Sequence, residues 1–96
     1  MRETSMPESI KPATIAIERI QTGVRLEKRL VKVLKGLAEY KEITLGDLLE
    51  GIVLHAFEGK CAFSPDTLEM ISKLREIYGL DLTASDSHQL VDRKGE

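Results

Sequence analysis

The sequence predicts a mainly α fold with one short strand, two helices behind it and an additional C-terminal helix, completed as an intertwined homodimer. Three observations carry that expectation. The stretch "QTGVRLEKRL" from Gln21 to Leu30 begins with alternating side chains and then passes into helical spacing. The apolar residues after it recur at the i, i+3, i+4, i+7 positions of amphipathic helices. A strand and two helices of this length bury too little apolar surface to stand alone. With 96 residues, 42% hydrophobic and 31% charged, the chain has the size and composition of one small globular domain.

Residues 1–12, with Pro7 and Pro12 among small polar residues, read as a flexible arm. In "ATIAIERI" Ile15 and Ile17 alternate with Thr14, Ala16 and Glu18, so this segment is a rival for the strand expected at 21–27. From Lys28 a helix follows, with Leu30, Leu34, Leu37 and Ala38 on one face and Lys28, Arg29, Lys32 and Lys35 mostly on the other, ending near Lys41. Gly36 inside it costs about 1 kcal/mol relative to alanine, which predicts close packing of another backbone. Thr44 is a ready N-cap, with Asp47 placed to reach back to it and Ile43 and Leu48 spaced as a hydrophobic staple. The second helix therefore starts at Leu45, carries Leu48, Leu49, Ile52, Val53, Ala56 and Phe57, and stops at Gly59. "SPDT" opens a third helix with Ser64 as N-cap and Pro65 in the first turn, and Gly79 closes it. The residues after "GLDL" are a polar tail.

A lone strand leaves its backbone groups unpaired, and a second copy across a two-fold axis would pair them and close a four-helix core. The expected dimer core is Val24 and Leu26 of the strand, Leu30, Leu34 and Leu37 of the first helix, and Leu48, Leu49, Ile52 and Val53 of the second. Strand alternation then turns Gln21, Gly23 and Arg25 outward. A two-stranded ribbon fits the DNA major groove, where Arg grips guanine and Gln grips adenine, each bidentate pair giving about 1–3 kcal/mol of discrimination.

This order of strand, helix, tight turn and helix, led by "QTGVRLEKRL", resembles the Arc/MetJ/CopG-like ribbon-helix-helix family of bacterial DNA-binding proteins over Gln21 to Phe57. The resemblance implies a transcriptional regulator, a repressor, binding double-stranded DNA as a homodimer. It implies base reading by Gln21, Gly23 and Arg25, and backbone anchoring by Thr44 with the amides of Leu45 and Gly46, while Lys28 and Arg29 become phosphate contacts. Gly23 departs from the family pattern, which places a polar side chain there and would leave two reading residues per subunit. The organisation expected is an arm over 1–12, a dimerisation and DNA-binding domain over 13–59, a helical extension over 60–80 and a tail over 81–96. The alternative is an antitoxin-like or purely protein-interaction dimer that holds a protein partner through residues 64–80.

Charge is divided unevenly along the chain. Residues 1–43 hold nine Lys or Arg against six Glu, whereas 44–96 hold five against ten acids. Between Arg19 and Lys41 the count is seven basic to two acidic. No glycine-rich phosphate loop, zinc spacing or acid pair points to an enzyme, a metal or a cofactor. Cys61 stands alone, His55 lies mid-helix and His88 in the tail. With no apolar run near 18 residues and no secretory core at the N-terminus, the expected compartment is the cytoplasm, away from membranes.

Overall fold

The computed structural model describes residues 14–93; residues 1–13 and 94–96, which include the whole of the expected arm, lie outside them. Three helices, α1 (Lys28–Lys41), α2 (Leu45–Phe57) and α3 (Pro65–Tyr78), are followed by a short 3-10 turn at Ala84–Asp86.

The expected strand does not form. Residues 14–27 hold neither strand nor helix, and the described residues make no sheet, so the predicted fold class with its ribbon-helix-helix dimer is overturned in favour of three helices without a strand among the described residues. The physical reason lies in pairing. Alternation at 21–26 is compatible with a strand, but a strand persists only where a neighbour takes up its N–H and C=O groups, and no edge is presented to it among the described residues. The rival segment at 14–18 fails for the same reason. Gly23 lowers the β preference further.

Helix boundaries follow local capping chemistry. Glu27, expected to end the strand, instead caps α1: its Oε1 accepts the Leu30 N–H at 2.9 Å. At the other end Glu42 takes φ 58°, a left-handed conformation, and its N–H turns back to the last carbonyls of α1. Thr44 Oγ1 accepts the Asp47 N–H at 3.0 Å and starts α2, and Gly59 at φ 70° follows its end. Ser64 caps α3 with Pro65 in the first turn. Gly79 at φ 66° reverses the chain, and the Leu80 N–H donates to Arg75 O at 2.8 Å while the Leu80 side chain is buried. This is a Schellman-type stop.

α1 is the middle layer, and both α2 and α3 pack against it. Leu37, 1% exposed, lies at the centre with Ala38 and Leu48, and Leu34, Ile43, Ile52, Phe63, Met70, Ile71 and Leu74 surround them. Gly36 faces α3. A Cβ there would stand 3.0 Å from Leu74 Cδ2, so the close neighbour is a side chain and not the backbone that the sequence suggested. Of the expected dimer core, Leu37 and Leu48 are buried within one chain. Leu30, Leu34, Leu49 and Ile52 are half-buried, and Val24, Leu26 and Val53 are exposed. Among the described residues no helix is long and apolar enough to cross a membrane.

Candidate nucleic-acid interface

Gln21, Gly23 and Arg25 all lie exposed on the irregular segment that leads into α1. Nothing stands within 4 Å of a Cβ built on Gly23, so no neighbour demands a glycine there. Beyond them Lys28, Lys32 and Lys35 are exposed on α1. Their i, i+4, i+7 spacing sets them on one side of the helix over about 10 Å. Lys32 Nζ stands 5.8 Å from the centroid of the Tyr78 ring, within cation–π range. Lys28, Arg29, Lys32 and Tyr78 line an open groove of about 940 Å³ whose other wall is the segment from Gln89 to Arg93.

The arginines are engaged inside the chain. Arg25 Nη2 donates to Asp92 Oδ2 at 2.6 Å, with the two side chains 87% and 77% exposed. Arg29, expected at a phosphate, joins the start of α1 to the end of α3: Nε donates to Glu27 Oε2 at 3.0 Å, and Nη1 to Gly79 O at 2.9 Å and Asp81 Oδ1 at 3.1 Å. The Glu27 hydrogen bond is the foremost reason that the Arg29 pKa is raised. Arg19 forms a two-pronged pair with Glu50 of α2 at 2.8 and 2.9 Å. The hydrogen bond from Arg19 is the main influence that lowers the Glu50 pKa, and the same bond raises that of Arg19. At Glu27 desolvation is the largest single influence and pushes the pKa up, but the Leu30 amide and Arg29 together outweigh it and leave the pKa lowered.

The other expected anchor is separate. Thr44 is occupied in capping α2, Leu45 is half-buried, and Gly46 is exposed with open space around a built Cβ. None of the three lines the lysine groove. Asp47 in the same first turn opposes an approaching phosphate. His55 Nδ1 lies 2.7 Å from Gly51 O, an acceptor, so that ring nitrogen carries the proton and serves the helix. Cys61 is a free, exposed thiol. Among the described residues no group of three His, Cys, Asp or Glu side chains is placed to hold a metal ion.

Glu27, Glu50, Asp81 and Asp92, the carboxylates that hold the arginines, escaped the sequence reading. The signal was present in the opposite charge balance of the two halves, which pairing within the chain explains as well as an outside partner does.

No family model, no curated protein and no solved structure matches the chain. The resemblance to the ribbon-helix-helix family therefore rests on sequence pattern alone, and the described residues hold no strand.

Proposed function

We propose that this chain is a cytoplasmic transcriptional regulator, a repressor, that binds double-stranded DNA as a homodimer. The observation that supports the reading best is the row of exposed Lys28, Lys32 and Lys35 on one side of α1, directly after Gln21 and Arg25 on the segment leading into it. Lysines in a row neutralise phosphates without regard to sequence, and Gln and Arg beside them supply donors for adenine and guanine edges. The DNA-contacting element in this reading is an irregular segment and a helix face, with no paired ribbon. No cofactor is required.

Exposed apolar surface supports the homodimer. Leu49, Val53 and Phe57 run along α2 at i, i+4, i+8 and open progressively toward its end, from half-buried through 43% to 81% exposed. Ile15, Ile17, Ile20 and Val24 are exposed before α1. Apolar surface of this extent is a feature of interaction sites, and a second copy covers the same stripe on both chains at once.

The test is to retain fragmented genomic DNA on the purified protein at near-physiological salt and sequence what is held. Enrichment of a short two-fold-symmetric motif supports the reading; no enrichment by a folded dimer removes it. A second reading, a protein-interaction dimer of the antitoxin-like kind with a partner on 64–80, is favoured by Leu68 and Ile77, which α3 leaves exposed at the two opposite margins of the stripe that packs on α1. That reading predicts a folded dimer that holds no DNA.

A further inference from the structure

The chain beyond α3 is directed back toward the DNA-contacting segment. Leu80 is buried, and Arg75 Nη2 donates to Leu82 O at 2.9 Å. Thr83 and Asp86 close the 3-10 turn reciprocally, the Thr83 N–H donating to Asp86 Oδ2 at 2.8 Å. Gln89 Nε2 then donates to Ser85 O at 2.8 Å. His88 between them takes φ 68°, a left-handed conformation that non-glycine residues adopt chiefly at turns. After it Leu90, Val91 and Asp92 come against Arg25, Leu26 and Leu30, together lining a groove of about 380 Å³. Asp92 meets Arg25 there, across 67 residues of sequence.

We propose that residues 89–93 form an intramolecular strap over the DNA-contacting face, so that DNA must displace the Asp92 carboxylate to reach Arg25. The inference rests on the reading of Arg25 as a DNA contact. A carboxylate offers a guanidinium the same kind of charged oxygen acceptor as a phosphate, and it occupies Arg25 while no DNA is bound. The hold is weak by construction, because both partners are exposed and surface ion pairs contribute little. The strap therefore shifts a threshold and does not block binding. A phosphate replaces the lost carboxylate in kind, and a guanine edge offers Arg25 two acceptors in one plane, so either can take Arg25 from Asp92.

The experiment measures affinity of the full chain for a fluorescein-labelled mixed-sequence duplex by anisotropy, with Asp92→Asn beside the wild type. Glu69→Gln, which removes one negative charge from an exposed position on α3, is the control for charge alone. Asp92→Asn is expected to bind about two- to fivefold more tightly than wild type and to exceed the control. Equal affinities of Asp92→Asn and Glu69→Gln, with the duplex still bound, overturn the strap and leave the DNA reading standing. Failure of every protein to bind the duplex at low salt overturns the DNA reading, and the strap as a gate on DNA falls with it.

Discussion

Replacing Phe57 with serine separates folding from assembly. Phe57 is the last residue of α2 and is 81% exposed in the single chain, so Phe57→Ser removes almost nothing that the chain itself buries. Its cost to the folded protomer is expected within about 0.5 kcal/mol. In a homodimer that covers the α2 stripe the same ring leaves water. Full burial of a phenylalanine is worth about 1.5–3 kcal/mol, and two-fold symmetry counts it twice, giving about 3–6 kcal/mol per dimer. That weakens association by roughly a hundredfold to ten-thousandfold. Sedimentation equilibrium over a wide range of concentration reads the effect directly. Wild type is expected at twice the chain mass and Phe57→Ser at the chain mass, with the helical circular-dichroism signal retained by both. Thermal unfolding gives a second reading, since a dimer melts at a temperature that rises with concentration and a monomer does not. A wild-type protein that sediments as a single chain throughout, or a variant that associates as tightly as wild type, refutes the reasoning.

Three further changes probe the site and its support. Arg25→Ala is expected to relax base preference at one position, whereas Lys28→Ala lowers affinity for all sequences and reduces the salt slope by about one; anisotropy titrations with several duplexes at several salt concentrations separate the two. Gly36→Val drives a methyl-bearing Cβ into Leu74 and is expected to cost about 1–3 kcal/mol by urea unfolding; a stabilised variant would show that the 3.0 Å approach imposes nothing. Glu27→Gln loses the charged N-cap of α1, costing about 1 kcal/mol at neutral pH. Because the Glu27 pKa is lowered in the folded chain, its contribution is complete above the ordinary glutamate pKa and disappears as pH falls through the lowered value. The gap between wild type and Glu27→Gln should close in acid, and a gap constant with pH would contradict this.

Where sequence and structure agree, the information was local. Thr44, Ser64 with Pro65, and Gly79 each act on neighbours within a few residues, and a cap or stop is chemically complete within one chain. The α2 stripe was legible as periodicity, but not how far it opens toward Phe57, because that depends on how much of it α1, the helix it packs on, covers. The strand failed for the opposite reason: alternation specifies two faces, and a strand needs a partner that no short window of sequence can supply. Glu27 shows the same limit at one residue. Its alternation placed it in a strand, and its carboxylate, once α1 formed, became the cap.

The charge imbalance is the feature whose meaning changed most. In the sequence it is only an asymmetry between the halves, and in the structure Arg19, Arg25 and Arg29 each meet an acid from the second half of the chain, namely Glu50, Asp92 and Asp81. Exposed pairs of this kind contribute little to stability and do not build the core. What they can do is hold the segment before α1 and the residues after α3 against the three helices. Such an attachment is screened when the Debye length falls to about 3 Å near 1 M salt, whereas the apolar packing around Leu37 is not. Trypsin cleavage after Arg19 and Arg25 is therefore expected to accelerate with salt, relative to an unstructured reference peptide in the same buffer, while the melting temperature of the helices holds or rises. Cleavage that follows the reference peptide at every salt concentration would mean that the pairs restrain nothing, and Arg25 would then be as open to DNA before binding as any surface lysine.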